Sequence, residues 1–133
     1  NLVRIAHEKE IQVVPLVGPS SILLALMASG LNGQSFSFHG YLPIDRASCI
    51  EKIIQIESAS LKLEQTQIFI ETPYRNKKLF ELLIAHCQRS THLCIASNLT
   101  LQGEAIKTRS IKDWQTNSPD FEKRPTVFLL QQY

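Results

Sequence analysis

The sequence predicts an α/β domain. Short β-branched and aromatic runs alternate with segments of helical periodicity, so that about five strands and three helices follow residue 35. Of 133 residues, 44% are hydrophobic and 20% charged, a globular balance far from that of a disordered chain. A chain of this size buries roughly two-thirds of the surface it would expose unfolded, enough for a core without disulfide or metal.

Leu2, Val3, Ile5 and Ala6 fall near helical spacing, and Ile11-Gln12-Val13-Val14 reads as a strand ended by Pro15. Pro19 suits the first turn of a helix spanning the apolar run Ile22 to Met27, which Gly30 ends. Leu31-Asn32-Gly33-Gln34-Ser35 has linker chemistry, so a domain boundary is expected there, giving units 1–34 and 35–133. The first unit holds only helix, strand and helix, too little for a closed core. Ser35 to His39 alternates as a strand, and Asp45 can cap a helix to about Glu64 with an apolar stripe at Ile50, Ile53, Ile54 and Leu61. Thr66 to Glu71 reads as a strand, followed by a helix with Thr72 as N-cap, Pro73 in its first turn and Leu79, Leu82, Leu83 and Cys87 on one face. Strands are expected at Leu93 to Ala96, Glu104 to Arg109 and Thr126 to Leu130. Ser110-x-x-Asp113 forms a capping box that opens a short helix near Trp114.

A formal net charge of +2 is too small to mark a dedicated phosphate-tracking protein. Cys49, Cys87 and Cys94 form no C-x-x-C pair, so neither a disulfide framework nor a zinc site is expected, and reduced thiols point to the cytoplasm. No apolar run approaches the roughly 18 residues of a membrane helix. The first ten residues lack a signal-peptide pattern and an initiator Met, which reads as a fragment of a longer protein. The sequon Asn98-Leu99-Thr100 is read as chance. No phosphate-binding glycine loop, H-E-x-x-H or G-x-S-x-G occurs, and His7, His39, His86 and His92 have no partner at ligand spacing.

Two segments place tight turns directly after apolar strands, where ligands of α/β sheets bind. In Val14-Pro15-Leu16-Val17-Gly18-Pro19-Ser20-Ser21, a glycine permits close backbone approach and two hydroxyls sit beside unsatisfied N–H groups at a helix start. An ordinary strand–turn–helix with Ser20 as cap explains it equally well. In Phe69-Ile70-Glu71-Thr72-Pro73-Tyr74-Arg75, a carboxylate, hydroxyl, phenol and guanidinium follow one strand end. A helix start with a favourably placed acid is again the equal alternative. Ala96-Ser97-Asn98-Leu99-Thr100 is a weaker third candidate.

Jointly these segments resemble the tetrapyrrole methylase superfamily. Val13 to Ser21 is similar to its V-x-P-x-x-G-P-S-[AS] stretch. Gly40-Tyr41-Leu42-Pro43, Phe69 to Arg75 and Asn98-Leu99-Thr100 resemble the G-[FY]-L-P, [FY]-x-E-[ST]-P-[HY]-R and E-L-T motifs of the branch that methylates a ribose 2′-hydroxyl of small-subunit ribosomal RNA. The resemblance implies two α/β domains with S-adenosyl-L-methionine in the cleft between them. This chain would supply the last strand and helix of the first domain and the whole mixed-sheet second domain, and would be inactive alone.

By the same resemblance, Pro15, Gly18, Pro19, Ser20 and Ser21 border the cofactor cleft, and Ile70, Leu99, Thr100, Pro125 and Thr126 contact the cofactor. Glu71 is the candidate base for the acceptor hydroxyl, and Arg75 orients Glu71 or a phosphate. A homodimer is implied, with ribosomal RNA or the small ribosomal subunit as partner, no metal and no membrane. The chain departs from the RNA branch where Ile44-Asp45 follows Pro43, Asn98 replaces the acid and Leu101 replaces a lysine. These departures favour a small-molecule acceptor of the tetrapyrrole type. A non-catalytic dimerisation domain is the third alternative.

Overall fold

The computed structural model describes residues 2–121 and 123–133. Its elements in chain order are α1 (Leu2–Glu8), α2 (Ser21–Ser29), β1 (Phe36–Tyr41), α3 (Arg46–Leu63), β2 (Thr66–Glu71), α4 (Asn76–His86), β3 (His92–Ser97), β4 (Ala105–Ser110), α5 (Ile111–Trp114) and β5 (Thr126–Gln131). The strands form one mixed sheet in the order β1-β2-β5-β3-β4. β1 and β2 are parallel, while β5 runs antiparallel to both β2 and β3, and β4 antiparallel to β3. The exits of β1, β2 and β3 therefore share one end of the sheet with the starts of β4 and β5.

Alternation along the central strands sorts the core into two layers. Phe69, Phe128, Leu130, Leu93 and Ile95 face α3, α4 and α5, meeting Ile53, Ile56, Leu83, Ile111 and Trp114. Ile68, Cys94, Ala96, Val127 and Leu129 face the other way and meet Ala25 and Leu26 of α2. Central strands buried on both sides read as continuous apolar runs, which is why β5 is buried at every position.

Several local devices act as the sequence predicts. The Asp45 carboxylate accepts the Ser48 N–H at 2.9 Å and caps α3. The Ser110 hydroxyl accepts the Asp113 N–H at 3.1 Å, starting α5. Gly30 ends α2 at φ +74, a left-handed geometry that glycine adopts without steric cost.

Other expectations are corrected. Residues 11–14 form no strand, because no described strand lies beside them to complete a ladder; residues 11–20 carry no regular structure, and α1 buries nothing. The stripe of α3 is Cys49, Ile53, Ile56, Glu57 and Ser60, while Ile54 and Leu61 are exposed. Two polar residues belong to the buried face because both are satisfied. Glu57 accepts the Gln88 N–H at 2.7 Å and the Thr91 hydroxyl at 2.5 Å, and Ser60 donates to the Gln65 carbonyl at 2.7 Å. Thr72 and Pro73 lie in a turn closed by the Arg75 N–H on the Thr72 carbonyl at 2.9 Å, and α4 begins only at Asn76.

The segment read as a linker is tied down. Asn32 donates its N–H to Gln131 Oε1 and its side-chain amide to the Glu64 carbonyl, both at 2.7 Å. α2 also packs on the sheet, through Ala25 and Leu26.

Candidate active site

A cavity of about 360 Å³ opens at the sheet end where β1, β2 and β3 exit and β5 begins. Ser21, Ile70, Glu71, Leu99, Pro125 and Thr126, all expected near a cofactor or at the reaction, line it. Four separate chain segments supply them, and the sheet order brings them together. Tyr41, Thr72, Pro73, Ala96, Asn98, Leu101 and Val127 complete the wall; none was assigned to the cofactor from sequence, although Ala96 and Asn98 belong to the weaker third segment. Their signal was weak because it lay in strand adjacency: β5 between β2 and β3 puts Val127 opposite both Ile70 and Ala96.

Pro15, Gly18, Pro19 and Ser20 are not part of this wall. They lie on the exposed segment before α2, and a Cβ on Gly18 would meet nothing within 4 Å. Nothing within the chain therefore requires glycine there. Ser20 occupies the N-cap position of α2, but its side chain makes no capping bond.

Glu71 reaches the wall, but alternation sends its side chain to the α3–α4 face. There the carboxylate is 3% exposed, accepts the Thr72 N–H at 2.7 Å with Oε1, and meets the Arg75 guanidinium at 3.2 Å with Oε2. Both oxygens are engaged in shaping the turn that follows β2. Arg75 does not line the cavity; it borders a crevice beside Cys49 and Lys78.

Thr126 joins a buried polar cluster that supports the start of β5. Its hydroxyl lies 2.9 Å from that of Ser97, and the Asn76 amide donates to the Thr126 hydroxyl at 3.2 Å and to the Arg124 carbonyl at 2.8 Å. Asn76 was missed from sequence, since an asparagine one residue after the noted motif carries no periodic or motif signal.

The remaining wall is a tight loop. Asn98 and Thr100 have φ of +53 and +65, and the Thr100 N–H donates to Glu104 Oε2 at 2.7 Å. Thr100 is exposed and does not line the cavity. A β-branched residue in the left-handed region is strained by roughly 1–3 kcal/mol, and such strain gathers at ligand clamps.

The cavity is mostly apolar, with strand-end backbone groups at its rim, a build suited to a small organic ligand. Burial pushes the thiols of Cys49, Cys87 and Cys94 up, so none is a ready nucleophile. Among the described residues, no group of three His, Cys, Asp or Glu is placed to hold a metal ion.

No family model matches the chain. The chain is similar to two proteins named ribosomal RNA small subunit methyltransferase I. It is 33% identical over 134 residues to that of Escherichia coli O157:H7 and 29% over 136 residues to that of Vibrio cholerae serotype O1. These alignments take in 98% and 100% of this chain but 46% of each relative, so the chain spans about half the length of the proteins it matches. Its fold resembles the crystal structure of the methyltransferase CobJ, with a TM-score of 0.57 at 19% identity, covering 98% of this chain and 55% of the other. Along nearly its whole length the chain thus resembles ribosomal RNA small subunit methyltransferase I sequences, and in fold it resembles CobJ, in keeping with the likeness to the tetrapyrrole methylase superfamily read from its motifs.

Proposed function

We propose that the chain forms one wall of the S-adenosyl-L-methionine cleft of a methyltransferase that acts on a ribose 2′-hydroxyl of small-subunit ribosomal RNA. The observation that carries this reading is the cavity at the shared sheet end, where Ile70, Leu99, Pro125 and Thr126 converge from separate segments. The names of the related sequences support the ribosomal RNA substrate.

The residues present fit the cofactor. Ile70, Leu99 and Val127 offer apolar surface to a flat base, and backbone groups at the strand ends offer its polar edge hydrogen bonds. When bound, the cofactor supplies an activated methyl group on a sulfonium, leaving the protein mainly to align donor and acceptor. With both carboxylate oxygens engaged, Glu71 acts with Arg75 as a positioning pair that holds the exit of β2 against the cleft. A general base at Glu71 would first have to leave Arg75.

The acid at Asp45, which departs from the RNA branch, has a structural cause in the cap of α3 and gives little support to a small-molecule acceptor. Leu101 lies on the cavity wall, where an apolar side chain suits the cofactor as well as an acceptor. The same reading implies a cytoplasmic homodimer, and weak or no cofactor binding by this chain alone. No described helix is long and apolar enough to cross a membrane.

The test is transfer of labelled methyl groups to small ribosomal subunits by the full-length protein that contains this chain. Label is expected in RNA. Glu71→Gln should weaken cofactor affinity about tenfold, the equivalent of about 1.4 kcal/mol, and leave the pH profile of kcat unchanged. A collapse of kcat with an altered pH profile would instead make Glu71 the base. Absence of label in RNA, with cofactor bound, would favour the small-molecule acceptor.

A further inference from the structure

A second cleft, of about 320 Å³, lies on the opposite side of the same sheet end. Its floor is β3 and the edge strand β4, where Ala105, Lys107 and Arg109 alternate onto the face that carries α5. The segment after α5 forms the far wall with Asn117, Ser118 and Asp120, and Arg124 closes the top. Among the described residues, three cations thus meet one carboxylate in a chain whose formal net charge is only +2. Arg124 approaches Asp120 at 3.4 Å. No described carboxylate pairs with Lys107 or Arg109. The Arg109 guanidinium is held over the Trp114 ring, 5.1 Å from its centre, and Trp114 is fixed in turn by its indole N–H on the Leu93 carbonyl at 2.8 Å. One cation is therefore preset in direction while the exposed Lys107 extends beside it, an arrangement suited to an anion approaching from solvent.

This cleft adjoins the first. Ser97 lines the basic cleft and Thr126 the apolar one, and their hydroxyls are 2.9 Å apart. A ligand that reaches both must round the sheet end, which a flexible polymer can do and a single small anion cannot.

We infer that the cleft between β4 and the segment after α5 binds a backbone phosphate of a single-stranded RNA through Lys107 and Arg109. This inference rests on the ribosomal RNA reading above, and extends it with a second contact on the acceptor. The phosphate lies between the ammonium and the guanidinium, and the Ser118 hydroxyl is a further donor within the same wall.

The test is fluorescence anisotropy of a short labelled oligouridylate bound to the protein, over a series of salt concentrations. Lys107→Gln should lower the slope of log affinity against log salt by about 0.7, and the double variant with Arg109→Gln by about 1.4. Arg109→Lys should restore much of the double variant's loss. Lys62→Gln, at the opposite end of the sheet, should leave the slope unchanged. Since Lys107 is exposed, its variant tests the site without disturbing the core. Slopes unchanged in Lys107→Gln and in the double variant would overturn the inference. So would protection of Lys107 from acylation by inorganic phosphate but not by the oligonucleotide, which would make this a small-anion site. Loss of methyl transfer with the slope effects intact would count against the functional reading and leave this cleft standing.

Discussion

The two faces of the sheet come from the same strands by alternation, yet they are covered very differently. Under α3, α4 and α5 lies an aromatic-rich layer in which Phe69 stacks on Phe128 at 5.8 Å and Phe80 meets Trp114 edge-on at 6.0 Å. Under α2 lies a thinner layer of Ala25, Leu26, Ile68, Cys94, Ala96, Val127 and Leu129, without a ring. α2 is apolar nearly all round, and its outer side leaves Leu23 and Met27 exposed. The thick face holds the strands, and the thin face leaves their ends accessible at the apolar cavity. The larger part of the core thus lies on one side of the sheet and the apolar cavity on the other.

The largest effect that would test this division is truncation in the two layers. Leu83→Ala, in the fully buried thick layer, should cost about 3–5 kcal/mol in denaturant unfolding, and Leu26→Ala, under the thin cover, about 2–3 kcal/mol. Equal losses would break the comparison. Next comes the polar seam of the thick face. Glu57→Ala should cost about 2 kcal/mol, because the Gln88 N–H and the Thr91 hydroxyl lose their acceptor. Glu57→Gln keeps one acceptor oxygen and should recover part of that in the same titration.

The smallest effect is at the start of α3. The Ser48 backbone N–H, and then its hydroxyl, hold the Asp45 carboxyl below its ordinary value of 3.8. A lowered folded-state value means that the cap's stabilisation is present above that ordinary value and is lost as pH falls through the lowered one. The difference in stability between the wild type and Asp45→Ala should therefore be full at neutral pH and shrink on acidification. A difference that stayed constant down to pH 2 would remove the ionised cap from the account.

Much of this was legible locally, and the reason lies in particular residues. Asp45 before Ser48, Ser110 before Asp113, and Gly30 after an apolar run each satisfy or release backbone groups within a few positions, so sequence spacing reports them directly. The candidate cleft was half legible. The resemblance implied Ile70, Leu99, Pro125 and Thr126, and the fold places them at or beside strand ends, where α/β sheets hold ligands. Tyr41 and Val127 were not legible, because their place depends on which strands become neighbours.

By itself, then, the sequence determined most of the strand and helix alternation, the caps at Asp45, Ser110 and Gly30, and the likeness to known methyltransferases, all of which depend on neighbours along the chain or on motif order. Tertiary structure alone decided the rest. Residues 11–14 have no described strand beside them to complete a ladder and form no strand, whatever their β propensity. Glu57 and Ser60 take the buried face of α3 because their bonding partners arrive from distant segments. The Glu71 carboxylate lies on the α3–α4 face with both oxygens engaged because alternation directs it there and Arg75 reaches the oxygen that the Thr72 N–H leaves free. Hydrogen bonds and charges act over a few ångströms in space, and only the folded chain determines which groups come that close.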